Sequence, residues 1–119
     1  MKVEVRKTAP IGVIAPEGSI TIGASVESFR AAIETVLSAG ARHVLVDGSR
    51  VRYMDSTGMG ELIAAHRRLS ETGGHVCIFA PSAKLLEILD ITHLSSIFQI
   101  SENEETAVER LPQSTRAEP

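Results

Sequence analysis

The run Tyr53-Met54-Asp55-Ser56-Thr57-Gly58-Met59-Gly60-Glu61-Leu62 holds the residues best suited to chemistry: a carboxylate, two adjacent hydroxyls and two glycines, set where a loop turns into a helix. Asp55 or Ser56 can cap that helix, because a side-chain oxygen there accepts from the free N–H groups of the first turn. Capping alone leaves the glycines unexplained, since each costs up to about 1 kcal/mol relative to Ala inside a helix. Two of them in the first turn suggest that something approaches the backbone closely. The helix end also offers unpaired N–H groups and a partial positive charge, a setting that holds an anion. A hydroxyl at that point is well placed to carry a phosphate. On residue types alone, plain capping and a functional role both stand.

Other chemistries find less support. The chain has no G-x-S-x-G elbow, no P-loop, no G-x-G-x-x-G after a strand, and no H-E-x-x-H or paired-cysteine metal pattern. Neither catalytic residues nor metal ligands are assigned, and no cofactor is expected. Of the four histidines, His43 and His75 fall at strand starts, where a polar residue at a sheet edge is ordinary, His66 on a helix and His93 in a loop. Cys77 lies in the apolar run Val76 to Phe79 and reads as a small buried hydrophobe. Arg50 and Arg52 precede the Asp55 segment; they read as a solvated loop face, or as partners of Asp55 or of an added phosphate.

The elements that must position this segment follow from periodicity. Val3, Val5 and Lys7 alternate with Lys2, Glu4 and Arg6, the period of a strand with one wet face. Ala9-Pro10 breaks it before a second strand over Ile11 to Ala15. Pro16-Glu17-Gly18 is turn chemistry, with a short extended piece from Ser19 to Ile22. A helix from about Ser25 to Ala39 is predicted, capped by Ser25, with Val26, Phe29, Ile33, Val36 and Leu37 on one face and Gly40 as its stop. His43 to Asp47 and His75 to Ala80 read as strands buried on both faces. Between them, a loop over 48–56 leads into a helix from Thr57 to Thr72 with Met59, Leu62, Ile63, His66 and Leu69 inward. Pro81-Ser82 opens a third helix carrying Leu85, Leu86 and Leu89. An extended stretch, Ser96 to Ile100, precedes the capping-box pattern Ser101-Glu102-Asn103-Glu104 and a last helix to about Leu111. Strands that alternate with helices predict an α/β sheet whose later strands are parallel. The expectation is one domain over 1–111 and a disordered tail over 112–119.

Composition narrows the partners. At 119 residues and 43 % apolar content, the chain is long enough for one packed domain. A net charge of −3 gives no basic footprint for nucleic acid or anionic lipid. With no Trp, one Tyr and three Phe, stacking platforms for single-stranded nucleic acid are scarce as well. No apolar run approaches the ~20 residues that a membrane helix needs. Direct nucleic-acid binding and membrane insertion are not expected; a cytoplasmic, non-enzymatic role is.

Asp55-Ser56-Thr57-Gly58-Met59-Gly60 resembles the D-S-[ST]-G-[LM]-G signature of STAS domains, the anti-sigma factor antagonist group. Val44-Leu45-Val46-Asp47, eight residues ahead of Asp55, resembles that family's central strand, and Gly18-Ser19-Ile20 its G-x-L turn. The resemblance covers about residues 3 to 110. It implies a single STAS-like α/β domain, with a mixed sheet, an N-terminal hairpin and four helices. It also implies a partner switch, in which Asp55, Ser56, Thr57, Gly58, Met59 and Gly60 meet a partner and Ser56 accepts a phosphate. The partner would be an anti-sigma factor, often a serine kinase that brings its own ATP, with a phosphatase to reset the switch. Antagonists of this group commonly carry Asp after G-x-L, where this chain has Thr21. A non-phosphorylated STAS subunit of a transporter or signalling scaffold is the alternative, and a hydrolase or transferase with Ser56 as nucleophile a third reading.

Overall fold

The chain opens with an antiparallel hairpin of β1 (Lys2–Thr8) and β2 (Ile11–Ile20), in which Lys2 faces Glu17 and Thr8 faces Ile11. Val3 and Val5 are half-buried while Lys2, Glu4 and Arg6 stay in water, as the alternation predicts. The computed structural model describes residues 1–112; residues 113–119, most of the expected tail, lie outside the described residues.

β2 corrects the expected turn at Pro16-Glu17-Gly18, because it runs through that segment as one ten-residue strand. Its first half pairs in parallel with β3 (His43–Asp47) from Ile11 to Ile14, and its last residues pair in parallel with β4 (Val51–Met54) from Gly18 to Ile20. Pro16 falls in the gap between those two partners, where a missing N–H breaks no ladder. Gly18 adopts φ +105, and the register shifts beside it. The glycine is thus required by a bulge in a strand, not by a turn.

β4 occupies part of the expected 48–56 loop. Only Val51 and Met54 of its four residues are buried, too short a pattern to read as a strand. The helix α1 (Ala24–Ser38) begins one residue early on an N-cap at Gly23. Ser25 therefore lies inside the first turn, where its hydroxyl accepts from Thr21 N–H (2.8 Å) and donates to Thr21 C=O (2.9 Å). The predicted apolar face is intact: Val26, Phe29, Ile33 and Val36 are buried, with Ala32 between them.

After α2 (Ser56–Ser70) the chain continues through β5 (His75–Phe79), α3 (Ala83–Ile91), a 3-10 turn (Leu94–Ser96), β6 (Gln99–Ser101) and α4 (Glu104–Glu109). Ser82 caps α3, as its Oγ accepts from Leu85 N–H (3.1 Å). The expected strand over 96–100 is thus shorter and later. The last cap also moves: Ser101 ends β6 opposite Phe79, and Asn103 caps α4 by accepting from Thr106 N–H at 2.8 Å. The sheet has six strands in the order β1-β2-β3-β5-β6, with β4 beside β2, and every pair but the hairpin is parallel.

Both faces of the sheet are covered. α1, α2 and α3 pack over Ile14, Val44, Val46, Val76 and Ile78, and α4 brings Ala107, followed by Leu111, to Val13, Leu45, Cys77 and Phe79 on the other side. Cys77 is fully buried, and burial pushes its thiol up to about 11. His43 departs from expectation, for β3 lies inside the sheet and not at its edge. Its ring is buried and stacked on His75, with centroids 5.4 Å apart. Among the described residues no helix is long and apolar enough to cross a membrane.

Candidate functional site

The parallel pairing of β4 with β2 carries the chain to the end of the sheet at Met54, and α2 starts there. Asp55 is its N-cap, in extended conformation. One carboxylate oxygen, Oδ1, accepts from the backbone N–H groups of Thr57 (3.0 Å) and Gly58 (3.2 Å) and from the Thr57 hydroxyl. The other, Oδ2, accepts from Ile22 N–H at 2.9 Å, across 33 residues of sequence. The Thr57 hydroxyl and then the Ile22 amide are the main groups that hold this carboxyl below the ordinary aspartate range. Asp55 therefore joins the head of α2 to the loop between β2 and α1.

These bonds correct one expectation about the helix end. The N–H groups of Thr57 and Gly58 are already bonded to Asp55, and that of Met59 to the Asp55 carbonyl (3.1 Å). An anion at Ser56 would have to compete for them. The arginines do not pair with Asp55: Arg50 pairs with Glu17 (3.4 Å), and Arg52 is exposed on β4.

The two glycines separate. Gly58 is buried, and a Cβ there would lie 2.7 Å from Met54 Cγ and 3.2 Å from the Ile20 carbonyl oxygen. The close approach it allows is between α2 and its own sheet. Gly60 is exposed, and a Cβ would meet nothing within 4 Å. Among the described residues nothing calls for a glycine at 60.

The buried stripe of α2 is Gly58, Leu62, Ala65 and Leu69, rotated from the predicted one, since small residues at 58 and 65 let the helix sit low on the sheet. Met59, Ile63 and His66 are displaced to its half-buried flank. There Ser56, Met59, Gly60 and Ile63, spaced as one helical face, line an open groove with Thr92 and Leu94. Ser56 is exposed, and its hydroxyl makes no hydrogen bond among the described residues. Ile22, 77 % exposed, stands on the loop tied to Asp55. Of the predicted segment, Ser56, Met59 and Gly60 thus face the groove, whereas Asp55, Thr57 and Gly58 build the turn that presents them. Ile22, Thr92 and Leu94 were not legible beforehand, because only the fold brings them to α2. Thr21, the position that departs from the motif, has its backbone N–H and C=O tied to the Ser25 hydroxyl.

A sheet of this topology with a capped D-S-T-G-M-G turn at one end defines a class, and the family comparison agrees. The chain belongs to the STAS domain family, whose model matches residues 2–107. It is similar to the anti-sigma-B factor antagonist of Listeria monocytogenes, 36% identical over 55 residues, which are 46% of this chain and 48% of that protein. The chain thus spans about half the length of the curated relatives it matches. Its fold is that of Bacillus SpoIIAA in its unphosphorylated form (TM-score 0.78, 22% identity, 92% of this chain and 96% of that one). An anti-sigma factor antagonist from Mycobacterium paratuberculosis has it too (TM-score 0.75, 22% identity, 97% and 93%).

Proposed function

We propose that this STAS domain is an anti-sigma factor antagonist whose binding is controlled by a phosphate on Ser56. The observation that carries the proposal is the state of the two adjacent hydroxyls. Thr57 spends its own on Asp55, while Ser56 is exposed at the head of α2 and beside the groove. Only the second is available to a kinase without dismantling the cap. The relatives that the chain matches are named as antagonists of anti-sigma factors, and structures of both the unphosphorylated and phosphorylated forms of SpoIIAA have been determined. The partner in this reading is an anti-sigma factor of the serine-kinase type, which supplies the ATP; a phosphatase reverses the step, and the site of action is the cytoplasm.

The switch is electrostatic. A phosphoserine adds about −1.5 to −2 charges, here next to the Asp55 carboxylate and without the Thr57 and Gly58 N–H donors, which that carboxylate already holds. A partner packed on Ser56 would have to bury that dianion. A loss of about 3 kcal/mol weakens affinity more than a hundredfold. The test is phosphosite mapping of protein isolated from its native cells, followed by titration of the anti-sigma factor. One phosphate is expected, on Ser56, and Ser56→Asp should bind far more weakly than wild type while Ser56→Ala keeps binding. A phosphate on Thr57 instead would overturn the site. Equal binding by Ser56→Asp and wild type would favour a scaffold that binds constitutively.

A further inference from the structure

β1 is a seven-residue edge strand, and among the described residues nothing pairs with its outer side. The opposite edge, β6, has three residues. β1 carries no proline, and its register with β2 is unbroken, so neither of those devices blunts it. What it carries is charge, in the order Lys2, Glu4, Arg6, Lys7, and that order decides what the edge accepts.

We infer that β1 is a self-association edge, at which a second copy of this chain adds its own β1 antiparallel with Val5 on the two-fold axis. In that register Glu4 faces Arg6 of the second copy and Arg6 faces Glu4, so two opposite-charge pairs form by symmetry. Val5 faces Val5, and Val3 lies opposite Lys7, whose methylene stem covers it. Lys2 falls opposite Thr8, so all seven residues find a partner. The neighbouring registers are worse. Moving the axis one residue toward the N-terminus sets Glu4 against Glu4 and Lys2 against Arg6; moving it one residue the other way sets Arg6 against Arg6. An axis between residues opposes Glu4 with Val5 and mismatches the wet and half-buried faces. Moving the axis two residues toward the N-terminus pairs Lys2 with Glu4 but shortens the ladder.

The neighbours of these charges leave room for the pairing. Arg6 already holds Glu104 of α4 through Nη1 and Nη2, and a guanidinium has further N–H donors for a second carboxylate. Glu4 has a long contact to Lys2 (3.7 Å), and both side chains are 66% exposed. The helix-covered face of the enlarged sheet would run Val3, Val5, Val5, Val3, continuous with the apolar layer that α1 packs against in each copy.

The experiment is sedimentation equilibrium of the full chain over a range of concentrations, with amide hydrogen exchange read on residues 2–8. Wild type is expected to move from 12.8 kDa toward twice that mass, and amides of β1 should gain protection with concentration. Glu4→Lys sets a lysine against Arg6 twice and should raise the dissociation constant at least tenfold, with an unchanged melt. Arg6→Glu should do the same, since it sets two glutamates together. Mixed in equal amounts, Glu4→Lys and Arg6→Glu should recover a heterodimer, because each then meets its opposite. A wild type that stays monomeric with concentration-independent exchange at β1 would overturn the inference. So would a dimer that ignores both substitutions, which would place its interface elsewhere. The exchange measurement on wild type decides the matter even if Arg6→Glu loosens α4 through Glu104. Neither readout involves Ser56 or an anti-sigma factor, so this inference and the proposed function fail separately.

Discussion

Gly58 and Gly60 stand two residues apart in one helix and answer to different neighbours. The residue types invite one explanation for both, yet only one of them faces water. Adding a methyl at 58 drives it onto Met54 Cγ and the Ile20 carbonyl, and overpacking of this kind typically costs about 1–3 kcal/mol. The gain in helix propensity from Gly to Ala, up to about 1 kcal/mol, does not offset that. Gly58→Ala should therefore destabilise the domain by about 1–2 kcal/mol. Gly60→Ala, whose methyl points into open space, should stabilise it by about 0.5–1 kcal/mol. Urea denaturation of the two variants separates them; if both become more stable, the packing account of Gly58 is wrong. The sequence marks the turn and its hydroxyls, and it cannot say which glycine is turned inward, because that depends on where Met54 and Ile20 lie.

At the scale of elements, Asp55 is the tie between α2 and the loop between β2 and α1. Periodicity finds the helices and the central strands, since their apolar residues repeat over many positions. It misses β4, four residues with two buried, and it breaks β2 at Pro16 because the gap between β3 and β4 exists only in the assembled sheet. The bond from Ile22 N–H to Asp55 is invisible for the same reason. Asp55→Ala should therefore act in two places at once: the first turn of α2 loses its cap, and the Ile22 amide loses its acceptor. Amide exchange should quicken at Ile22, Thr57 and Gly58, with the central strands β3 and β5 unchanged. If Ile22 keeps its protection in that variant, the loop is held by the Thr21–Ser25 contacts and not by Asp55.

At the scale of the whole molecule, a buried histidine couples stability to pH. His43 lies inside the sheet at the start of β3, where its Nδ1 accepts from His75 N–H at 3.1 Å. Burial first, then the nearby His75 and Arg42, lower its pKa to about 4. In the unfolded chain an ordinary histidine titrates near 6.5. Between these values the unfolded form binds a proton that the native form refuses, so falling pH favours unfolding. This contribution is complete above about pH 6.5 and is lost as pH drops toward 4; the full span corresponds to about 3 kcal/mol, a large share of a small domain's stability. Asp55 acts in a lower window: its native pKa is depressed, so its part is present above the ordinary aspartate value near 4 and disappears only below it. The two are therefore separable by pH. Urea unfolding in steps from pH 7.5 to 4.5 should show stability falling for wild type. His43→Asn, which keeps an acceptor but does not titrate, should start less stable because of the lost ring and then follow a flatter curve. Parallel curves for the two proteins would mean that His43 takes up its proton in the folded state at an ordinary pH, and that the sheet tolerates a charge beside Arg42.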